Sequence, residues 1–390
     1  MSRFDEVIER RGTNAVKWDG LKTVFGREDV LPMWVADMDF KAPEVVIDAI
    51  KQSAEHGIYG YTVVPDSTRE AIVDWMKDRH SWKIHKEWLL FNHGVVPSIG
   101  AAVEALTEPG DAVIVQPPVY NPFFDMIEKN GRKLVYNELV LQDGHYKMDL
   151  ADLEEKIKAE RAKMVVLCSP HNPGGRVWTK EELTALGSVC EKHNVFLVAD
   201  EIHADLTREP HKHISIASLS ERYAAFTVTL IAPSKTFNLA GLQASSLIVP
   251  DKTIRTKIQK VFAKQGQFTL NQMGIAGMEA AYRSGHEWLD EALEYIHGNV
   301  QLVKEYADKN IPSLSVMEPE GSYLVWVDCR ALGLSDKELL DLFLDHGVAL
   351  GNGAKYGPGG EGFMRINVAC PRSTVAETME RMKKAADSLS

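Results

Sequence analysis

Lys235 stands between the apolar run "FTVTLIAPS" and the small and amide side chains of "TFNLAGLQ". A lysine among such neighbours is not placed for a surface ion-pair face. Either its stem packs beneath a loop or its amine serves a reaction. Four further places put a polar or aromatic group directly after an apolar run. "VFLVA" ends at Asp200, an acid that is costly to bury as a charge unless a cation or donor meets it. The adjacent Glu201 fits the role of functional acid by position alone, and a helix cap is a third reading. "VVLC" leads to Asn172 in "SPHNPGG", which is either an Asx-turn or an amide donor to a phenolate oxygen. "AVIVQ" leads to Tyr120 through two prolines that hold the chain extended. Its ring could cover a flat ligand, although a core aromatic is the commoner use. After "EWLLFN" comes "HGVVPSIGAAVEAL", a glycine opening an amphipathic helix. The amides of Val95 and Val96 would be free there to hold a phosphate, unless the glycine is only a turn.

An amine, an acid, an amide, an aromatic ring and a phosphate-ready turn, each at a strand end, describe pyridoxal phosphate better than any other cofactor. The lysine condenses with its aldehyde, the aspartate holds the proton of its ring nitrogen, and the tyrosine covers the ring.

These groups meet only if the runs that precede them lie side by side. From about residue 85 to 250, "DAVIVQPP", "KMVVLCSP", "VFLVADEIH", "FTVTLIAPSK" and "SSLIVPD" read as buried strands alternating with amphipathic stretches. This predicts crossover helices and a mainly parallel sheet, with ligands beyond the carboxyl ends of its strands. In "TKEELTALGSVCEKH", Thr179 and Glu182 have capping-box spacing, as do Ser335 and Glu338 further on. Residues 251–310 read as helical. The strands "SYLVWVDC", "VALGNG" and "FMRINVAC" then belong to a second, smaller α+β unit. The expected class is α/β, with a large unit over 50–285 and a smaller one formed by 1–49 with 286–390. No repeat or flexible linker separates them, so the cleft between them is the place for a ligand.

The 390 residues, 45% apolar and 25% charged, fit a globular protein with one large core. A net charge of −11 argues against nucleic acid and anionic membrane as partners and leaves small molecules. Cys168, Cys190, Cys329 and Cys370 are far apart, without CxxC spacing, and read as reduced core thiols rather than disulfides or a metal site. The charged start "MSRFDEVIERRG" is unlike a signal peptide, and no apolar run reaches eighteen residues. The expected location is the cytoplasm.

The stretches "LPMWVADMDF", "GIYGYT", "GDAVIVQPPVYNPF", "SPHNPGG", "ADEIHADL", "APSKTFNLAGLQ" and "KYGPGGEGFMRINVACPR" span nearly the whole chain. Together they resemble the fold-type I enzymes of the aminotransferase class I/II superfamily, and more narrowly the MalY/PatB-type cystathionine β-lyases and cysteine desulfhydrases. "MWVADMDF" points to the lyase branch. The resemblance implies that Lys235 carries the cofactor, Asp200 partners its ring nitrogen, Asn172 and His203 reach the ring oxygen and Tyr120 stacks. Val95, Val96 and Ser234 would hold the phosphate, helped by Tyr61 from the second subunit of a homodimer. Arg365 would clamp the substrate carboxylate with its two-pronged fork, with Ala36 and Tyr356 beside the substrate.

The chain departs from the wider superfamily at two places. Gln243 stands where many members have a phosphate-binding arginine, and His203 where a tyrosine is usual. The "VALGNGAKYG" loop is also less proline-rich than expected, which draws attention to Asn352 and Tyr356. The implied reaction is β-elimination from cystathionine or a cysteine-type substrate to a thiol, pyruvate and ammonia. Aminotransfer is the alternative, as is a lyase with an added regulatory protein-binding role.

Overall fold

Five apolar runs with almost no polar interruption can lie only where both faces of a sheet are covered, and they do. The computed structural model describes residues 2–389. Its large sheet has seven strands: β1 (Leu89–Asn92), β2 (Ala112–Val115), β3 (Lys133–Tyr136), β4 (Met164–Cys168), β5 (Phe196–Asp200), β6 (Thr227–Ile231) and β7 (Ser245–Ile248). Across the sheet the order is β1-β7-β6-β5-β4-β2-β3. From β6 to β3 every neighbour is parallel, whereas β7 runs antiparallel to both β6 and β1. The sheet is thus mixed, and β1 through β6 all end at one edge. Every residue of β2, β4, β6 and β7 is buried.

The helix between β4 and β5, Lys180–His193, begins with the reciprocal Thr179–Glu182 bonds that the spacing predicts. It ends on Asn194 in the left-handed conformation that asparagine tolerates. The stretch 251–310 holds three helices, Lys252–Lys264, Gln272–Ser284 and the 25-residue His286–Asn310.

A second sheet is formed by β8 (Ser315–Met317), β9 (Leu324–Asp328), β10 (Gly351–Asn352) and β11 (Phe363–Asn367), in the antiparallel order β8-β9-β11-β10. The helix Asp336–Asp345 opens with the Ser335–Glu338 box. The N-terminal segment joins this part, because Leu31–Pro32 pairs in parallel with Val348–Ala349. One apolar core runs through Met33, Phe40, Trp75, Phe237, Leu289, Val325 and Ile366, so side chains from both sheets share it. All four cysteines are free and buried.

Candidate active site

Because β1, β2, β4, β5 and β6 end at the same edge, the residues that follow them converge on one cavity of about 440 Å³. Its wall includes Val95, Val96, Tyr120, Asn172, Asp200, His203, Ser234, Lys235 and Arg365, together with Trp34, Val35 and Ala36 from the N-terminal segment.

Lys235 sits on a single turn, Pro233–Thr236, directly after β6, with Pro233 at the first helical position where its missing N–H costs nothing. Its Nζ donates to the carbonyl of Ala36 at 2.7 Å. Burial pushes the amine down to about 8, with the positive charge of Arg365 adding to the effect. Asp200 is the last residue of β5 and is buried. One oxygen accepts from the backbone N–H of Ile202 at 3.1 Å. Burial pushes its carboxyl up to about 7, against that hydrogen bond and the charge of Lys235. Glu201 faces elsewhere: it is buried against His213 (2.8 Å) and Ser215 (3.0 Å) and forms no part of the wall. Of the two adjacent acids, only Asp200 faces the cavity.

Arg365 lies on β11 and reaches across to the larger sheet. Its Nη1 donates to the side-chain oxygen of Asn172 at 3.1 Å and its Nη2 to the Trp34 carbonyl at 2.6 Å. Its Nε is buried without a partner. The ring of Tyr356 lies 5.3 Å from the guanidinium carbon. Tyr356 is therefore a buried support behind Arg365, not part of the cavity wall as a place beside the substrate would require. Asn352 is further off: it caps the turn Gly353–Tyr356 and bonds the Asp336 carbonyl.

Val95 and Val96 open the 12-residue helix Val95–Leu106. Such an end leaves its first amides without helical partners. His203 is buried, with Nδ1 3.2 Å from Ser322 Oγ, and burial pushes the imidazole down to about 3, which keeps it neutral. Burial also raises the phenol of Tyr120. Gln243 lines the cavity at the arginine position of the wider superfamily. Tyr61 does not line it: the side chain is fully exposed on the segment 58–63. Among the described residues no group of three or more His, Cys, Asp or Glu side chains could hold a metal.

Sequence reasoning missed how the segment 34–40 is held. Side chains from distant elements meet its carbonyls: Arg365 at Trp34, Asn367 at Val35 and Asp37, Lys235 and Tyr323 at Ala36, Asn238 at Met38 and Phe40. Behind it, Asp39 pairs with the fully buried Lys17 (2.7 Å) and with Arg10 (2.6 Å). The only signal available was the polar content of a segment rich in Trp, Met and Phe, whose acids need partners if buried.

The model of the family described as aminotransferase class I and II matches residues 28–382. The chain belongs to that family. It is 48% identical to cystathionine beta-lyase PatB of Bacillus subtilis (strain 168), over 98% of this chain and 99% of PatB. Cystalysin from Treponema denticola, whose structure contains a pyridoxal 5'-phosphate cofactor, superposes with a TM-score of 0.97 at 36% identity over 100% of both chains. The PLP-bound C-S lyase from Staphylococcus hominis does so with 0.92 at 33%, over 99% of this chain and 98% of the other. Within the family this chain is of the MalY/PatB type, and its fold is that of the fold-type I enzymes.

Proposed function

We propose that the protein is a pyridoxal-phosphate-dependent carbon–sulfur β-lyase that converts cystathionine or a cysteine-type thioether, with one water, into a thiol, pyruvate and ammonia. The observation that carries the reading is the pairing of Lys235 and Asp200 on one cavity, their ionisations displaced toward each other to about 8 and about 7. Displaced pairs of this kind mark sites of proton transfer. Full-length similarity to PatB and to the C-S lyase from Staphylococcus hominis supports the same chemistry, and the cofactor in cystalysin supports pyridoxal phosphate.

The residues fit the cofactor. Asp200 has an oxygen with no protein donor in a buried place, which suits a protonated ring nitrogen, and Lys235 supplies an amine beside it. The first amides of Val95–Leu106 with Ser234 suit the phosphate, Tyr120 the ring face, and Asn172 and His203 the ring oxygen. When bound, the cofactor supplies an aldehyde for an amine and a ring that accepts the electrons released at the substrate Cα.

The remaining work falls to the chain. Arg365 stands on the cavity wall with its guanidinium held by Asn172 and the Trp34 carbonyl, and the remaining N–H groups of its two Nη atoms suit a substrate carboxylate and would set the direction of the Cα–H bond. Lys235 Nζ, brought down to about 8, can hold that proton near neutral pH. Trp34, Val35 and Tyr120 give the cavity apolar surface and exclude water.

We further propose a cytoplasmic homodimer in which Tyr61 reaches the partner's phosphate site. Ile58, Tyr61, Val63 and Phe268 are exposed on neighbouring segments that Thr62 joins through the Leu270 carbonyl, an apolar band suited to a second copy. No helix among the described residues is long and apolar enough to cross a membrane. Residues 50–285 would form the cofactor-binding unit and 1–49 with 286–390 the smaller one. The test is pyruvate release from cystathionine without any 2-oxo acid, with borohydride labelling followed by peptide mapping. Pyruvate formation with label on Lys235 supports the reading. Turnover only with a 2-oxo acid present would make the protein an aminotransferase instead.

A further inference from the structure

Two aspartates five positions apart, Asp200 at the end of β5 and Asp205 in the loop after it, both have buried carboxyl groups but are held differently. Asp200 receives one backbone donor and is pushed up by burial. The Asp205 side chain is 8% exposed, and burial alone would raise it too. It is held below the usual range instead, by three donors from two elements. Its Oδ1 takes Trp75 Nε1 at 2.9 Å and His80 Nε2 at 2.7 Å, both near the end of the helix Asp66–His80. Its Oδ2 takes the Thr236 hydroxyl at 2.7 Å. Thr236 is fully buried and is the residue next to Lys235.

We propose that Asp205 is a positioning residue for Lys235, anchoring the turn Pro233–Thr236 through the Thr236 hydroxyl to a base made by His80 and Trp75. The proposal rests on the reading of Lys235 as the lysine that carries the cofactor. The turn needs such an anchor. With four residues it closes on two backbone bonds, Phe237 N to Pro233 O at 2.9 Å and Leu239 N to Ser234 O at 3.0 Å, and one turn is not self-sustaining in water. Successive helical residues diverge by about 100°. Thr236 can therefore face inward to Asp205 while Lys235 faces the cavity.

Phe237 continues the same base: it is fully buried, with its ring 5.5 Å from that of Trp75. Trp75 thus touches both the anchor and the residue that ends the turn. The arrangement fixes where the Lys235 stem leaves the backbone, and with it the 2.7 Å approach of Nζ to the Ala36 carbonyl. A carboxylate suits this role better than a neutral acceptor, because it takes three donors at once and its charge-assisted bonds are the strong ones. Asp205 and His80 also line a second cavity of about 600 Å³, together with His213.

The test follows covalent attachment of pyridoxal phosphate to the cofactor-free protein by stopped-flow absorbance. Three forms are compared: the wild type, Thr236→Val, which keeps the shape and loses the hydroxyl, and Thr236→Ser, which keeps the hydroxyl. The expected result is attachment slowed about tenfold in Thr236→Val, short of the hundredfold of a full misplacement, and rescued in Thr236→Ser to within about threefold of wild type. A folded Thr236→Val protein that attaches cofactor at the wild-type rate would overturn the proposal. Equal slowing in both variants would also overturn it, since packing and not the hydroxyl would then be at work. Should Thr236→Val fail to fold, His80→Phe removes one donor from the other side of Asp205. It is expected to slow attachment in the same direction, and an unchanged rate there is equally fatal. Lys235→Ala is the separate control. If the wild type attaches cofactor no better than that variant, the reading of Lys235 fails, whatever the Thr236 variants do.

Discussion

Arg365 donates to the side-chain oxygen of Asn172 at 3.1 Å, although 193 positions separate them. Arg365 belongs to the smaller sheet and Asn172 to the loop after β4, so this one bond ties the two sheets together at the cavity. Nη2 meets the Trp34 carbonyl at 2.6 Å, so the guanidinium is held from two sides at the cavity wall. A lysine carries the same charge but neither the fork nor the plane. Arg365→Lys is therefore expected to raise KM for the amino-acid substrate by about 10- to 100-fold, as losing a charge-assisted bond does, with a smaller change in kcat. Steady-state kinetics on cystathionine decides it. An unchanged KM would remove Arg365 from the carboxylate site.

The second prediction concerns pH. Asp200 is raised from 3.8 to about 7, so between those values the folded, cofactor-free protein holds a proton that the unfolded chain has released. Stability attributable to this group is therefore complete below about pH 4, falls as pH rises through that window, and stays low above about 7. Asp200→Asn should stabilise the cofactor-free protein by roughly 2–4 kcal/mol at pH 8 and by little at pH 4. Urea unfolding of both proteins at the two pH values measures the difference. An equal effect at both would show that the carboxyl is not raised. With cofactor supplied the order should reverse, because the variant cannot offer its charge to the ring nitrogen.

The third concerns the ion pairs behind segment 34–40. Lys17 is fully buried, and removing one partner of a buried pair leaves the other charge uncompensated. Lys17→Met should cost about 3 kcal/mol of stability, with Arg10 still compensating part of the Asp39 charge. The drop in the urea midpoint is the measure. A change below about 0.5 kcal/mol, ordinary for a surface site, would refute the claim that this pair is buried.

Much of the site was legible because strand geometry makes it so. Once five apolar runs are known to lie parallel, the polar residues that end them must share an edge, and Tyr120, Asn172, Asp200 and Lys235 do. The choice between Asp200 and Glu201 was not legible, because both stand at the end of β5 and only the fold shows His213 and Ser215 taking the second acid. The segment 34–40 left no periodic trace either. Its carbonyls are met by side chains about 200 positions away rather than by a strand ladder, so neither a period of 2 nor of 3.6 appears. Asp205 escaped for the same reason: its partners Trp75, His80 and Thr236 are distant in sequence.

The last prediction concerns Tyr61, which a single chain leaves fully exposed among Ile58, Val63 and Phe268. If its hydroxyl serves the phosphate of a second copy, two defective proteins should repair each other. Lys235→Ala keeps Tyr61 but cannot hold the cofactor, and Tyr61→Phe keeps Lys235 but lacks the hydroxyl. Mixed and allowed to exchange subunits, they form hybrids in which one of the two sites has both groups intact and the other has neither. Random pairing of equal amounts gives about one quarter intact sites, so pyruvate release should recover to about a quarter of wild type. Unmixed, Lys235→Ala should be inactive and Tyr61→Phe should show weakened cofactor retention. Sedimentation must show that exchange took place. Exchanged hybrids no more active than the Tyr61→Phe protein alone would mean that each chain completes its own site, and Tyr61 would lose its place across the interface.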